Sequence, residues 1–253
     1  MSRIAGVHAL ITGGSGGVGL AVARRLDAEG CAITLLARGR ERCEAAAAWI
    51  PGALAVTADV SDEAELAAAW ATAKARFGDP AILINNAGYA PSAPLLKTSR
   101  HEWDAALAVN LTGAFLCAQR ALPWMLECGY GRIVNIASTA GLKGYPYVTA
   151  YTAAKHGLVG FTRALALDVA GKGVTVNAVC PGFIDTEMTA RSVERITAKT
   201  GRTAEQARAE LARTNPMGRL VTAEEVADAV AWLCTREAGA VNGIALPVAG
   251  GEV

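Results

Sequence analysis

The sequence has few of the residues that build disulfide frameworks or metal sites. Six cysteines are scattered through 253 residues without a C-x-x-C pair, which predicts free and mostly buried thiols. The three histidines lie far apart and form no short metal-ligand motif, so we expect no metal. Apolar runs are short as well. Gly, Pro or charged residues interrupt every candidate of about 18 residues, which predicts no membrane span.

The sequence also lacks an excess of charge of either sign. It contains 24 Lys and Arg against 23 Asp and Glu, for a formal net charge of +1. This balance provides no global positive field, so nucleic acid and anionic membranes are not expected partners. The first residues enter an apolar run without the ordered regions of a signal peptide, which predicts a cytoplasmic protein.

What the sequence does have is a series of short, continuous apolar runs. Hydrophobic residues make up 52% of the chain, and longer helical patterns separate the runs. Continuous apolar runs, unlike alternating ones, are typical of strands that helices cover on both faces. The pattern predicts a single α/β domain over residues 1–253, with a doubly wound parallel sheet. The seven predicted strands are 7–12, 32–37, 53–58, 81–85, 132–137, 174–179 and 243–248.

Polar residues before the helical patterns mark the expected helix starts. Ser61, Thr98 or Ser99, and Thr222 each precede acidic residues in a first turn, as N-caps do. One segment differs from the rest of the chain, because residues 186–221 are polar, charged and rich in threonine. We predict that this segment is a mobile lid over the substrate.

A glycine-rich turn follows the first predicted strand and precedes the first helical pattern. Glycine suits such a turn because the chain bends tightly and a pyrophosphate must approach the backbone N–H groups of a helix N-terminus. Two registers fit a dinucleotide site, one through Gly14, Gly16 and Gly19, and one through Gly13, Gly17 and Gly19. A plain strand-to-helix connection is the alternative interpretation.

A tyrosine and a lysine are candidates for acid–base chemistry. Tyr151 and Lys155 are four residues apart in the helical pattern 150–170, so their side chains lie on one face of a helix. A free tyrosine titrates near pH 10, and a nearby ammonium favours its phenolate. The pair is therefore a candidate proton donor and acceptor near neutral pH.

Two further polar residues are candidate site residues because of their positions in the predicted strands and helices. Ser138 ends the strand pattern 132–137, which places its hydroxyl at the carboxyl edge of the sheet, although serine there is ordinarily a turn residue. Asn110 lies inside the helical pattern 103–126. Because asparagine is a poor helix former, it predicts a local kink or a bound water.

Several motifs together resemble the short-chain dehydrogenase/reductase family, and the resemblance extends over essentially the whole chain. The resemblance favours the second glycine register and implies a Rossmann-type sheet with strand order 3-2-1-4-5-6-7. It also implies a homotetramer or homodimer that acts on a ketone or alcohol. The motifs are Thr12-Gly13-x-x-x-Gly17-x-Gly19, Asn85-Asn86-Ala87-Gly88, Ser138, Tyr151-x-x-x-Lys155 and Pro181-Gly182.

The resemblance also implies a role for each candidate catalytic residue. Tyr151 would donate a proton to the carbonyl oxygen, or remove it in the reverse direction, and Ser138 would orient that oxygen. Lys155 would hold the nicotinamide ribose and lower the pKa of the tyrosine. Asn110 would support a proton relay through water.

By the same resemblance, the cofactor contacts follow the carboxyl ends of the strands. Asp59 and Val60 would contact adenine, Asn86 to Gly88 the adenine ribose, and Ile184 and Thr186 the carboxamide. The full set of implied cofactor-binding residues is Gly13, Ser15, Gly17, Val18, Gly19, Arg38, Asp59, Val60, Asn86, Ala87, Gly88, Tyr151, Lys155, Pro181, Gly182, Ile184 and Thr186.

The end of the second predicted strand indicates which nicotinamide cofactor is used. An NAD site would have an acidic residue there for the ribose 2′-hydroxyl. This chain has Ala37 followed by Arg38, and a guanidinium can pair with a 2′-phosphate through two hydrogen bonds. We therefore predict a preference for NADP(H), with NAD(H) as the alternative cofactor. The competing interpretation is that Arg38 simply begins the next helix in solvent.

Substrate class is the least determined feature of the sequence. Residues 135–141 and 178–183 resemble bacterial β-ketoacyl thioester reductases, including ketoreductases of aromatic polyketide synthesis. Seven basic and four acidic residues lie between 187 and 219. This surplus suits the phosphate of a coenzyme A or carrier phosphopantetheine, or forms a solvated face of paired charges. Tyr145, Pro146 and Tyr147 line the pocket in one interpretation and pack into the core in the other.

Three functions are therefore open. The first is NADPH-dependent reduction of 3-oxoacyl thioesters to 3-hydroxyacyl products. The second is a dehydrogenase of non-thioester secondary alcohols of cyclic, aromatic or steroid type, since one fold hosts many substrates. The third is a protein that binds a dinucleotide without turning it over.

Overall fold

Seven parallel strands form one sheet in the order β3-β2-β1-β4-β5-β6-β7. The computed structural model describes residues 4–253, with Met188 described by its backbone alone. The strands are β1 His8–Thr12, β2 Ala32–Ala37, β3 Leu54–Thr57, β4 Ile82–Asn85, β5 Gly131–Ile136, β6 Val174–Pro181 and β7 Ala245–Val248. The predicted class, strand count and strand order are confirmed.

Some strands begin or end at residues other than those predicted, because pairing with a neighbouring strand sets the ends. The second strand begins and ends as predicted, whereas β6 continues past residue 179 because Cys180 and Pro181 pair with Pro247 and Val248 of β7. A strand end is set by the neighbour that pairs with it, which an apolar run does not reveal.

The described residues contain nine α-helices. They are α1 Gly17–Ala28, α2 Arg40–Ala47, α3 Glu63–Phe77, α4 Arg100–Leu107, α5 Gly113–Glu127, α6 Thr149–Asp168, α7 Glu187–Thr200, α8 Ala204–Ala212 and α9 Ala223–Cys234. Helices α1, α2 and α9 pack on one face of the sheet, and α3, α5 and α6 pack on the other. The fold is thus doubly wound, as the sequence predicts.

Each face of the sheet has its own apolar core. In β1, Ile11 packs into the core under α1 and α9, while its neighbour Leu10 packs into the core under α3 and α5. Both side chains are fully buried, because successive residues of a strand point to opposite faces. Burial on both faces explains why the strands appear in the sequence as continuous apolar runs.

The helix starts follow the predicted caps with one exception. Ser99 caps α4 and Thr222 caps α9. In each case the backbone N–H of the capping residue also donates to the side chain of the glutamate three residues later. The prediction that Ser61 caps α3 is wrong, because Asp62 accepts the backbone N–H groups of Ala64 and Glu65. Ser61 instead donates from its backbone N–H and its hydroxyl to Asp59.

A π-helical turn at Ala108–Thr112 joins α4 to α5, so the kink predicted at Asn110 takes this form. The continuous helical stretch Arg100–Glu127 is long and apolar enough to pass a length-and-hydropathy test for a membrane span. The sequence-based prediction that no stretch would do so needs that correction. In this stretch, 44% of the most apolar window is buried in the fold, so more than half of that window is not.

The cysteines follow their predicted state. All six are free, and five are buried while Cys128 is exposed. Within residues 4–253, no group of three or more His, Cys, Asp or Glu side chains lies close enough together to hold a metal ion.

Candidate active site

The carboxyl ends of four strands bring the candidate residues to one edge of the sheet. The glycine turn follows β1, Asn86 follows β4, Ser138 lies two residues beyond β5, and Pro181 is the last residue of β6. Strands β1 and β4 are neighbours although β2 follows β1 in the chain. The strand order therefore reverses here, at the position where open α/β sheets bind ligands.

The backbone of the glycine turn distinguishes the two registers. Gly13 and Gly17 have positive φ angles of 65° and 51°, which only glycine adopts without strain. A Cβ on Gly19 would lie 2.5 Å from the carbonyl oxygen of Gly13. Gly16 has neither constraint, since its φ is extended and the nearest atom to an added Cβ is 3.6 Å away. The geometry favours the register through Gly13, Gly17 and Gly19.

The same turn presents the start of α1 to the edge of the sheet. Ser15 is half-buried, and the side chain of Val18 is buried in the core beneath α1. Val18 therefore has only its backbone to offer a ligand at this edge. A helix N-terminus with unpaired N–H groups and a close, side-chain-free backbone fits a pyrophosphate.

Thr12 and Asn86 connect the glycine turn to the end of β4. The backbone N–H groups of Asn86 and Ala87 donate to Thr12 Oγ1, each at 3.0 Å. Asn86 Nδ2 donates to the backbone oxygens of Thr12 and Gly13 at 2.9 and 3.1 Å. The role of Thr12 was missed from the sequence. Its place in the glycine motif was the available signal.

Arg38 lies where the sequence predicts a 2′-phosphate contact. Its side chain is 68% exposed, and its Nη1 lies 3.6 Å from Asp59 Oδ2. Burial raises the pKa of Asp59, but hydrogen bonds from Ser61 and the charge of Arg38 outweigh burial, so the net pKa is lowered. The structure thus places Arg38 and Asp59 together at the ends of β2 and β3, while Val60 is buried against Gly113.

Ser138, Tyr151 and Lys155 meet at the centre of this edge. Ser138 Oγ accepts the N–H of Ala140 at 3.1 Å, and its side chain lies near Tyr151, whose pKa it lowers against the effect of burial. Lys155 is buried, and its Nζ lies 5.6 Å from the centre of the Tyr151 ring. Helix α6 holds the tyrosine and the lysine on one face, as the four-residue spacing predicts.

Burial dominates the electrostatics of this group. It raises the pKa of Tyr151, and the hydrogen bond with Ser138 opposes that rise without cancelling it. Burial also lowers the pKa of Lys155 to about 8. The Lys155 ammonium donates to the backbone oxygen of Ile136 at 2.7 Å. In the chain alone, burial therefore sets the direction of the tyrosine pKa, because removing a phenolate from water disfavours it.

Cys180 lies against the same group. Burial raises the pKa of its thiol to about 11, so it stays protonated near neutral pH. The sequence offered no signal for this placement beyond the cysteine's position at the end of a buried strand.

Asn110 is buried in the π-helical turn and its side chain is fully engaged. Its Nδ2 donates to the backbone oxygens of Tyr89 and Ala106 at 2.7 and 2.8 Å, and its Oδ1 accepts the N–H of Tyr89 at 3.3 Å. The side chain thus anchors the segment after β4, next to Gly88.

A buried network beneath α6 was also missed from the sequence. Asn85 donates to Asn135, and Asn135 donates to the Thr162 hydroxyl, each at 2.8 Å. Thr162 in turn donates to the backbone oxygen of Leu158 at 2.7 Å. The network ties β4 and β5 to the helix that carries Tyr151 and Lys155.

The segment after β6 closes the remaining side of the site. Gly182 donates to the backbone oxygen of Val248, and Ile184 bridges to Val221. Thr186 precedes α7, and its Cγ2 would lie 3.4 Å from a Cβ on Gly17. The predicted nicotinamide segment therefore approaches the glycine turn.

The basic residues of the predicted lid are only partly paired. Arg191, Arg208, Arg213 and Arg219 form ion pairs with acidic neighbours. Arg195, Lys199 and Arg202 form none within the described part of the chain.

Of the aromatic residues before α6, Tyr145 is hydrogen-bonded to Thr139 and Glu252, whereas Tyr147 is 62% exposed.

Comparison with known proteins finds the same architecture and chemistry in relatives. A family model described as enoyl-(acyl carrier protein) reductase matches residues 13–252. The D-beta-hydroxybutyrate dehydrogenase of Cupriavidus necator is 40% identical over 98% of both chains. The 3-oxoacyl-acyl-carrier-protein reductase of Haemophilus influenzae is 36% identical over 97% of this chain and 98% of its own.

A solved structure is similar over nearly the whole fold. A crystal structure of an actinorhodin polyketide ketoreductase variant with NADPH is 39% identical and superposes with a TM-score of 0.94. The superposition covers 97% of each chain.

Proposed function

The chain belongs to the short-chain dehydrogenase/reductase family, and from this we propose that it uses NADPH to reduce the ketone of a 3-oxoacyl thioester. Members of this family similar to it are oxidoreductases of CH–OH and C=O groups, and this chain is one as well. The observation that carries the proposal is the placement of Ser138 and Tyr151 together beside the buried Lys155.

The proposed roles follow from the geometry of these three side chains. A bound NADPH supplies the hydride for the carbonyl carbon. The Tyr151 phenol donates its proton to the carbonyl oxygen, and the Ser138 hydroxyl holds that oxygen in place. Because burial raises the pKa of Tyr151, the phenol is protonated at neutral pH and suited to reduction. Lys155 holds the nicotinamide ribose, and the phenolate left after proton transfer gains from its ammonium.

Asn110 is proposed to support the return of a proton to Tyr151 through water. Its own side chain is held by Tyr89 and Ala106, so its contribution is to keep the π-helical turn open beside the site.

The cofactor proposal is NADP(H), with NAD(H) as the weaker alternative. The glycine turn fits the pyrophosphate, and Asn86, Ala87 and Gly88 follow β4 where the adenine ribose would lie. Arg38 supports the preference, because its exposed guanidinium is free to exchange the 3.6 Å pair with Asp59 for a doubly charged phosphate. Pro181, Gly182, Ile184 and Thr186 would line the nicotinamide end.

We also propose that residues 186–221 act as a lid within a single domain. Helix α7 is attached to α2 by the pair of Glu187 with Arg42 at 2.6 Å, and both side chains are more than half exposed. The unpaired Arg195, Lys199 and Arg202 would suit a phosphate on the carrier arm of a thioester.

A homotetramer or homodimer is the proposed assembly. Three large apolar side chains on α5, those of Phe115, Trp124 and Leu126, are 44%, 38% and 37% exposed. Phe115 and Leu126 are eleven residues, or about three turns, apart and lie on one face of α5 that a second copy of the chain would cover, whereas Trp124 lies on the opposite face.

The second candidate function is oxidation or reduction of a non-thioester substrate. It is favoured by the 40% identity to a hydroxybutyrate dehydrogenase, which is as high as any identity reported above. The choice between the two rests on the substrate, since the catalytic group would be the same.

Initial rates of NADPH oxidation separate these candidates. We expect turnover of acetoacetyl-CoA with NADPH, and at least about tenfold slower turnover with NADH. Turnover of acetoacetate or cyclic ketones with no turnover of the thioester would overturn the thioester assignment and leave ketone reduction in place.

Tyr151→Phe tests the catalytic role directly. We expect kcat to fall about a thousandfold, because the proton donor is lost, while the affinity for NADPH measured by fluorescence titration stays within about twofold. Phe161→Tyr, on the same helix, is the control for a change of one hydroxyl. If Tyr151→Phe retained full turnover, the assignment of the proton donor would be wrong. If the wild type bound NADPH and reduced no ketone, the chain would bind dinucleotide without catalysis.

A further inference from the structure

A second group of polar side chains lies beside the candidate site and takes no part in the steps described above. The side chain of Glu252 is only 1% exposed. Its Oε1 accepts a hydrogen bond from the Tyr145 hydroxyl and lies 3.2 Å from Lys143 Nζ. Its Oε2 is equally buried and has no hydrogen-bond partner. A buried carboxylate oxygen without a donor is costly, so its partner is to be sought outside the chain.

The free oxygen faces the segment after β6. It lies 3.0 Å from the position that a Cβ on Gly182 would occupy, next to the proposed nicotinamide contacts. The other end of the group reaches the segment after β5, because Tyr145 Oη is 2.7 Å from Thr139 Oγ1. Thr139 directly follows Ser138. The carboxylate thus lies between the two segments that flank the reacting carbonyl.

The hydrogen bonds within the group have a fixed direction. A carboxylate only accepts, so Tyr145 donates to Glu252 and its own oxygen accepts from the Thr139 hydroxyl. Lys143 Nζ donates to the Glu252 backbone oxygen at 3.1 Å and forms an ion pair with Glu252 Oε1. Tyr145 is further held edge-on against Phe183 at 6.3 Å between ring centres. Glu252 Oε1 is therefore engaged by Tyr145 and Lys143, and Oε2 is the carboxylate oxygen that has no donor.

We propose that Glu252 determines substrate specificity, with Oε2 accepting a hydrogen bond from a hydroxyl of the ketone substrate. This inference rests on the proposed ketone reduction. It adds that the substrate carries a hydroxyl at a distance from the reacting carbonyl. A buried acceptor that loses its donor rejects the analogue without the hydroxyl. The negative charge disfavours substrates that carry a carboxylate.

The experiment compares ketones that differ only in the hydroxyl. The probes are cyclohexanone, its 2-, 3- and 4-hydroxy derivatives, and 4-oxocyclohexanecarboxylate, each reduced with saturating NADPH. For the wild type we expect kcat/KM at least about tenfold higher for one hydroxy isomer than for cyclohexanone. The carboxylate should be the poorest substrate. In Glu252→Met this preference should fall to about one, with turnover of cyclohexanone retained.

Tyr145→Phe is the matched control, since it removes the bond to Oε1 and leaves Oε2 in place. It should keep the hydroxyl preference within about threefold, whereas a purely structural role of the group would change all ketones alike in both variants. Glu252→Gln is the second variant if Glu252→Met does not fold, and it should lose the preference because its amide can present a donor to the pocket.

Each outcome decides the inference. Equal rates for all hydroxy isomers and cyclohexanone in the wild type would overturn it, as would an unchanged preference in both Glu252 variants. Weaker NADPH binding with an unchanged preference would assign the carboxylate to the cofactor instead. If cyclohexanones turn over without a hydroxyl preference, only this inference fails. If no ketone turns over, the proposed function fails and this inference with it.

Discussion

The glycine turn after β1 and the helix α7 lie on two sides of the same site but are held by different forces. In the turn, a methyl group on Gly19 would come within 2.5 Å of the Gly13 oxygen and of Asn86 Nδ2. Helix α7 is held at its start by ion pairs of Glu187 with Arg42 and Arg191. These side chains are all more than half exposed.

The difference shows how the two halves of the site are built. Close packing against backbone leaves the turn no alternative conformation, so the cofactor half is formed by the fold itself. Exposed ion pairs contribute about 0 to 1 kcal/mol, so the start of α7 is held weakly, while Thr189 and Val193 farther along the helix are buried. We infer a preorganised cofactor half and a substrate half free to move.

The largest effect is expected from adding one carbon to the glycine turn, which tests whether the turn is rigidly packed. Gly19→Ala should lower the free energy of unfolding by about 3 kcal/mol, because backbone atoms of Gly13 cannot yield space. NADPH binding should be lost in parallel. Denaturant unfolding measures the first effect and fluorescence titration the second.

Gly16→Ala is the control in the same turn, since nothing lies within 3.6 Å of its added Cβ. We expect a change of less than about 0.5 kcal/mol. Equal effects at the two glycines would show that the turn is not rigidly packed.

The buried network under α6 extends the rigid half, and Thr162→Val tests it. Valine keeps the shape but leaves Asn135 Nδ2 without an acceptor, at a cost of about 2 kcal/mol. Thr72→Val is the matched control, because Thr72 makes the same bond to a backbone oxygen four residues earlier but is exposed. Denaturant unfolding should show a change within about 0.5 kcal/mol for Thr72→Val, and a similar cost at both positions would contradict the network's role.

Arg38→Ala tests the proposed cofactor contact directly after β2. The KM for NADPH should rise about tenfold, while the KM for NADH stays unchanged, because only the 2′-phosphate loses its partner. Steady-state kinetics with both cofactors measure this. Arg24→Ala, an exposed arginine on α1, controls for the loss of a positive charge. An equal rise with both cofactors would show that Arg38 does not select the phosphate.

The smallest effect on stability is expected from Glu187→Gln at the start of α7. Unfolding should change by less than about 0.5 kcal/mol, since the lost pairs are exposed. The KM for the ketone should nevertheless rise about threefold together with kcat, because a looser lid opens more often. Glu210→Gln, whose partner Arg213 lies one turn away beside α8, should change neither constant. Identical kinetics for both variants would argue against a lid.

Local patterns allowed much of this molecule to be predicted. Strand count followed from apolar runs, and the pairing of Tyr151 with Lys155 followed from a four-residue helical spacing. Glycines at 13 and 17 have positive φ angles, and Gly19 has no room for a Cβ, so all three positions require the residue type that the motif shows. The position of each candidate catalytic residue followed in the same way from the strand or helix that carries it.

The contacts between distant parts of the chain could not be predicted. Tyr145 and Glu252 are 107 positions apart, and no sequence pattern relates them. Asn85 and Asn135 belong to recognised motifs, but only the strand order showed that their side chains lie side by side. Asp62 displaced Ser61 as the cap of α3 because Ser61 was already bonded to Asp59, a choice among neighbours that cap preferences do not resolve.

The sequence by itself determined the fold class and the local placement of the glycine turn and of the Tyr151–Lys155 pair, because these depend on residue types at short spacings. Tertiary structure decided the electrostatics: burial, which no spacing encodes, raises the pKa of Tyr151 against the influence expected from Lys155. It also placed a buried carboxylate at the substrate end of the site. Both depend on which surfaces the packed helices and strands remove from water, and that is known only once the chain has folded.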